Sequence, residues 1–222
     1  EAALAVLAKN GVEAEVVYPG CCGMPQLEQA DLKRVAEKAK STAQALKPYV
    51  DAGVDVIALI PSCALMMKFE WPLIVPDDAD VTALAQATFD ITEYVVSIAD
   101  REGMVPGLEP VPGGVALHLA CHARAQNMGP MGADMLRLIP NTDVSVIERC
   151  SGHGGTWGIK KDHFPVAAKF ARGTMKRAAD SGKAMLASEC PLAGKHLAQV
   201  FETLPEGGKT RSEEHTSELQ SH

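Results

Sequence analysis

Two kinds of apolar segment alternate along the chain: stretches with a hydrophobic residue every third or fourth position, and short unbroken apolar runs. Between Asp31 and Tyr49, the residues Leu32, Val35, Ala36, Ala39, Ala43 and Leu46 fall on one stripe, which predicts an amphipathic helix stopped by Gly53. Val54 to Ile60 follows, bounded by Gly53 and Pro61, with the pattern of a strand buried on both faces. Two prolines interrupt the stretch from Glu70 to Asp80, and then Leu84, Phe89, Ile91, Val95 and Ile98 predict a helix from Val81 to Ile98. Further on, the pattern predicts a strand over Val115 to Leu119, a helix over Met131 to Ile139 and a strand over Asp143 to Ile147. A helix over Phe164 to Ser181, marked by Val166, Phe170 and Met175, precedes a strand over Lys183 to Ala187 and a last helix from Cys190 to Leu204. At the start, Ala2 to Lys9 reads as the end of a helix leading into a strand over Val12 to Tyr18.

Strands alternating with helices imply an α/β fold with parallel sheets, because parallel strands need crossover connections. Pro106, Pro110, Pro112 and Gly113-Gly114 mark a seam. The expected organisation is two tandem pseudo-repeated lobes, 1–105 and 115–205, joined by a linker at 106–114. Each lobe is a small parallel sheet with flanking helices and with cysteines at the C-terminal ends of its strands. The repeat shows in the motifs themselves. Gly20-Cys21-Cys22-Gly23-Met24-Pro25 follows an apolar run, Arg149-Cys150-Ser151-Gly152-His153 follows another, and each precedes a long helix, a strand and one more cysteine, Cys63 or Cys190. Lys68 and Lys195 even stand five positions after those last cysteines.

The six cysteines divide evenly, with Cys21, Cys22 and Cys63 in the first lobe and Cys121, Cys150 and Cys190 in the second. A long, core-rich chain without a secretory signal is not a disulfide scaffold, so these thiols read as ligands in a reducing compartment. Strands that all point one way deliver their loop cysteines to one sheet edge, where open α/β sheets bind ligands. The wide spacing means that the fold, and not one loop, assembles each site. His122 and His153 lie in the cysteine loops as direct ligands or as donors to groups around the metal. His118, alternating with Val115 and Leu117, reads as structural, and Met66 as core packing. The glycines of Gly152 to Gly158 match no nucleotide fingerprint. They suit a nest of backbone N–H groups facing an anionic centre, with Trp157 shielding it from water.

The motifs Gly20-Cys21-Cys22-Gly23-Met24-Pro25, Pro61-Ser62-Cys63, Ala120-Cys121-His122-Ala123-Arg124-Ala125-Gln126-Asn127 and Cys150 to Gly158 resemble the cysteine-rich CCG domain family. That family is found in the iron–sulfur subunits of anaerobic glycerol-3-phosphate dehydrogenases, of heterodisulfide reductases and of glycolate and lactate oxidation. The resemblance covers residues 1 to about 201. It implies iron–sulfur clusters, of the 4Fe-4S kind, held in a flavin-free subunit of an oxidoreductase complex. Such a subunit passes electrons from a flavoprotein dehydrogenase towards membrane quinone or a quinone-reducing subunit, in the cytoplasm or on the inner face of the membrane. The chain departs from the fullest family pattern: Met66 and Ala193 stand at positions of further cysteines, Ser151 replaces the second thiol of the pair, and the first cysteine of the first lobe lies upstream of Glu1. Each lobe thus offers three thiols; the upstream cysteine would complete four in the first, and His122, His153, an exogenous group or a cysteine from the other lobe would complete four in the second. Zinc held by three cysteines and a histidine, and direct thiol–disulfide chemistry at Cys21 and Cys22, are the alternative readings.

Charge and ends change this picture little. The net charge is −7, and an acidic surface does not suit nucleic acid. No apolar run reaches the length of a spanning helix. Pro205 and Gly207-Gly208 end the last periodic segment, leaving a tail at 206–222, and Arg211 to His222 reads as the in-frame translation of a sequencing adapter. The sequence is expected to be a fragment at both ends.

Overall fold

The structure, a computed structural model, describes residues 1–203; the predicted tail and the end of the last helix at Leu204 lie outside the described residues. The first lobe runs α1 (Ala2–Lys9), α2 (Met24–Leu27), α3 (Leu32–Asp51), β1 (Val56–Ala58), α4 (Pro61–Leu65), a π-helical turn (Met66–Glu70), α5 (Trp71–Ile74), α6 (Ala79–Ala87), β2 (Thr88–Asp90) and α7 (Ile91–Glu102). The second runs β3 (Val115–His118), α8 (Cys121–Ala125), α9 (Met131–Arg137), β4 (Val144–Ile147), α10 (Phe164–Asp180), β5 (Met185–Ser188) and α11 (Pro191–Glu202). Both sheets are parallel, as expected: β1 pairs with β2, and β3 lies between β4 and β5. Among the described residues no helix is long and apolar enough to cross a membrane.

Asp31 caps α3 by accepting the Arg34 N–H at 3.2 Å, and the predicted stripe from Val35 to Leu46 is its buried side, with Val35 and Ala39 fully enclosed, while Leu32 at its start is exposed. That side meets Met66, Trp71, Val81 and Leu84 in the larger apolar core, which also takes in Cys22. In the second lobe, α10 and α11 pack together through Ala171, Met175, Leu197 and Val200.

Three expectations fail, each for a local reason. The strand expected over Val12 to Tyr18 does not form, and Val16, Val17 and Tyr18 are exposed. In the second lobe the corresponding strand, β4, is laddered to the central strand β3. Among the described residues no strand runs beside 12–18, so its backbone has no ladder to join. The single helix expected over Val81 to Ile98 is two, α6 and α7, with β2 between them. Asp90 accepts the Thr92 N–H at 2.9 Å and Glu93 accepts the Asp90 N–H at 3.3 Å, a capping box that restarts the helix while Thr88–Asp90 pairs with Val56–Ala58. The buried face of α10 is not Val166 and Phe170, which are exposed, but the small residues Ala167, Ala168, Ala171 and Thr174. A Cβ on Gly152 would meet the Ala167 carbonyl oxygen at 2.2 Å, so only a stripe of small side chains lets α10 lie against the Cys150 loop.

Candidate metal centre

The two cysteine loops that follow the apolar runs are built alike. In Cys21-Cys22-Gly23 the Gly23 N–H donates to the Cys21 sulfur at 3.5 Å, and in Cys150-Ser151-Gly152 the Gly152 N–H donates to the Cys150 sulfur at 3.3 Å. Both bonds need a backbone that folds back in the left-handed region, and Gly23 and Gly152 have φ of 89° and 84°. An N–H aimed at sulfur stabilises the thiolate, and around a metal it raises the potential by the same electrostatics. Each loop is also anchored from behind: Trp71 donates through Nε1 to the Cys22 carbonyl at 3.1 Å, and the Thr174 hydroxyl donates to the Cys150 carbonyl at 2.7 Å.

The remaining thiols open helices. Cys63 lies in the first turn of α4, from which the helical chain continues through the π-turn into α5; Cys121 is the first residue of α8, and Cys190 is the N-cap of α11. In the first lobe the three thiols are neighbours. The Cys22 and Cys63 thiols are close enough to shift each other's titration, and Cys21 is near enough for its charge to act on Cys63. The neighbouring Cys63 sulfur, and then burial, pushes the Cys22 thiol far up, while Cys22 draws Cys63 below the ordinary thiol value. In the second lobe the Cys121 thiol, exposed on one side, is pushed up by the partial desolvation of its other side and by the charges of Cys150 and Cys190. Cys21 and Cys22 thus act on Cys63, and Cys150 and Cys190 on Cys121; Cys21, Cys121 and Cys150 are open to solvent.

Met66 and Ala193, each three residues past its lobe's last cysteine, are both 0% exposed. Met66 packs in the core beside Cys22 and Trp71, so apolar contact takes the place of a thiol. Ser151 is buried, and its hydroxyl is 2.8 Å from Nδ1 of His153, which leaves Nε2 as that ring's free nitrogen. Burial, reinforced by nearby His196, His118 and His122, pushes His153 down to about 4, so it is a neutral imidazole at physiological pH. His122 is held low by burial and drawn back up by Glu28 and Glu70 of the first lobe. Trp157 shields only in part: it is 43% exposed and stacks on His163 with ring centroids 4.3 Å apart.

Both sites lie where the lobes meet. Helix α8, which Cys121 opens, packs on α4, which carries Cys63. Gln126 at the end of α8 reaches into the first lobe and donates through Nε2 to the buried Asp90 carboxylate at 3.0 Å. The Glu28 carboxylate lies so close over Gly155 that a Cβ there would meet its oxygen at 2.0 Å. Sequence reasoning missed this bridge; the Asp90-Ile91-Thr92-Glu93 capping signature was visible, but nothing along the chain announced that Gln126 would find Asp90.

Among the described residues, no three His, Cys, Asp or Glu side chains converge tightly enough to grip a single metal ion. Tetrahedral zinc needs thiolate sulfurs about 2.3 Å from one point. An iron–sulfur core is wider and takes its thiolates at separate corners, so soft thiol donors, three to a lobe, fit it in kind.

Over 172 residues the chain is 24% identical to the C subunit of anaerobic glycerol-3-phosphate dehydrogenase from Escherichia coli strain K12, a match covering 77% of this chain and 43% of that protein. The protein of the same name from Escherichia coli O157:H7 matches to the same extent. Lactate utilization protein A of Bacillus pumilus strain SAFR-032 is 26% identical over 171 residues, covering 72% of this chain and 68% of that protein. The chain spans less than half the length of the glycerol-3-phosphate dehydrogenase subunits it matches. Residues 1–68 and 115–197, the segments that hold all six thiols, match the family model described as the CCG cysteine-rich domain, and the chain belongs to that family.

Proposed function

We propose that the chain is an iron–sulfur electron-transfer subunit of an oxidoreductase complex, with Cys21, Cys22 and Cys63 as ligands in one lobe and Cys121, Cys150 and Cys190 in the other. The observation that carries this reading is the like build of the two cysteine loops, each with a glycine N–H donating to its first sulfur, together with the packing of α4, which holds Cys63, on α8, which Cys121 opens. A bound cluster would supply reversible one-electron storage, as iron in soft thiolate coordination does. The chain's own residues bind and orient it: the Gly23 and Gly152 N–H groups direct hydrogen bonds at sulfur, Trp71 and Thr174 hold the loops, and the apolar core around Cys22 excludes water from one side. His153, neutral and oriented by Ser151, and His122, at the lobe contact, are the side chains placed to complete the second set or to donate to it.

A match to parts of a dehydrogenase subunit and of a lactate utilization protein supports partners of the same kind: a flavoprotein dehydrogenase as donor and membrane quinone, or a quinone-reducing subunit, as acceptor. The mutual perturbation of the Cys22 and Cys63 thiols favours one second reading, in which that pair itself cycles between dithiol and disulfide.

One preparation separates the readings. The chain is purified or reconstituted without oxygen and assayed for iron, acid-labile sulfide and zinc, with visible and EPR spectra. Near-equal iron and sulfide, with Cys63→Ala and Cys190→Ala each losing the iron of its own lobe, is the expected result. Full iron in both variants, zinc in place of iron, or a metal-free protein whose Cys22 and Cys63 exchange with a disulfide would overturn it.

A further inference from the structure

His118 ends β3, three positions before Cys121, and is 1% exposed. A buried imidazole must satisfy both ring nitrogens. Nε2 is 2.9 Å from the main-chain oxygen of Arg149, the residue before Cys150. Nδ1 is 2.9 Å from the Ser188 hydroxyl, whose oxygen accepts the Cys190 N–H at 3.3 Å. A carbonyl oxygen only accepts, so the ring proton is on Nε2. With the neutral ring Nδ1 then accepts the Ser188 hydroxyl proton, and the serine lone pairs are left for Cys190. One imidazole in one tautomer thus ties together the three chain segments from which the second set of thiols departs.

The sheet alone does not do this. The β3 ladders reach only to His118, paired with Ile147 on one side and Ser188 on the other; past that point the backbone bond from Leu119 N–H to the Ile147 oxygen, 3.1 Å, continues towards β4. Glu189 adds one side-chain tie, accepting the Ala120 N–H at 2.9 Å, between the Cys190 and Cys121 loops. No tie but His118 and its serine joins the Cys150 segment to the Cys190 segment among the bonds of the described residues. The first lobe is held differently, by the apolar core around Cys22 and by Trp71.

We propose that His118 is the positioning residue of the second thiol set, fixing Cys121, Cys150 and Cys190 in the register that a cluster requires. Its consequence for metal binding rests on the cluster reading above; the tie between the three loops does not.

The test uses the full chain with His118→Leu, His118→Gln and Ser188→Ala, compared by hydrogen–deuterium exchange on the metal-free protein and by EPR after reconstitution with iron and sulfide. His118→Leu keeps an apolar side chain but removes both bonds, so peptides carrying Cys121, Cys150 and Cys190 should exchange roughly tenfold faster together, the change expected for loss of about one net hydrogen bond, while the Cys63 peptide keeps its rate. His118→Gln keeps a donor towards Arg149 and should restore the Cys150 peptide alone. Ser188→Ala should loosen the Cys190 peptide and spare Cys150. After reconstitution, His118→Leu should lose the second-lobe signal and retain that of the first. Native exchange at the three cysteine peptides in His118→Leu, or equal loosening in all three variants, would overturn the proposal; should His118→Leu not fold, the contrast between the His118→Gln and Ser188→Ala variants decides it in the same way. A native chain that takes up neither iron nor sulfide would overturn the cluster reading instead, and the exchange data would still decide the role of His118.

Discussion

Gly152→Ala probes the joint between a cysteine loop and its supporting helix, and its effect can be worked out from the structure. Gly152 has φ of 84°, and an added Cβ would stand 2.2 Å from the Ala167 carbonyl oxygen and 3.1 Å from the Ala171 nitrogen. Left-handed backbone costs a non-glycine residue about 1–2 kcal/mol. Forcing an extra methyl against helix backbone, which cannot swing aside as a side chain can, adds about 1–3 kcal/mol. Stiffening of the unfolded chain returns about 0.4–1 kcal/mol, so the net loss is about 1–5 kcal/mol. For a chain of this size that lowers the Tm by about 2–20 °C. Two glycines serve as controls. Gly154 also has positive φ, but the nearest atom to an added Cβ is 3.8 Å away, and at Gly23 it is the flexible Lys38 side chain at 3.3 Å. Alanine at either should cost only the backbone strain less the same return, about 0–2 kcal/mol. Urea unfolding of the three variants gives the order directly. If Gly152→Ala is no worse than Gly154→Ala, the claim that the Cys150 loop is clamped on α10 fails.

Other expected outcomes test the remaining parts of the site. Trp71→Phe keeps the ring in the core but leaves the Cys22 carbonyl without its 3.1 Å partner; a loss of about 1–3 kcal/mol is expected in urea unfolding, and Thr174→Val should act similarly through the Cys150 carbonyl. In the metal-free chain at neutral pH, iodoacetamide followed by mass spectrometry should label Cys63 before Cys22, because one sulfur is drawn towards thiolate and the other is held as thiol; the reverse order would contradict their mutual perturbation. His196 is 2% exposed, with Phe164 edge-on at 5.6 Å, and burial lowers its pKa below the ordinary histidine value of 6.5. The folded chain then binds fewer protons than the unfolded chain, so stability is complete above pH 6.5 and falls as pH drops through the lowered value. His196→Gln should flatten the fall in urea midpoint between neutral and acidic pH, and an unchanged slope would refute the assignment.

The order of residues was enough to establish an α/β chain with parallel sheets, to place the starts of the main helices and of the second lobe's strands, and to sort six thiols into two matched groups. These properties are legible because they are periodic or local: the stripe of α3 repeats every turn, and Cys-Cys-Gly and Cys-Ser-Gly each carry their own turn chemistry. Pairing was not legible. An extended segment such as Val12 to Tyr18 becomes a strand only beside another strand, and the short run Thr88–Asp90 became one because β1 lay alongside it. The choice of which face of α10 to bury was likewise decided by the close approach of Gly152, which admits alanine and turns Val166 and Phe170 outward. The ties between distant residues, Gln126 to Asp90 across the lobes and His118 to Arg149 and Ser188, exist only in three dimensions. A hydrogen bond between residues far apart in the chain leaves no periodic trace, since it requires only that folding bring one donor and one acceptor to the same place.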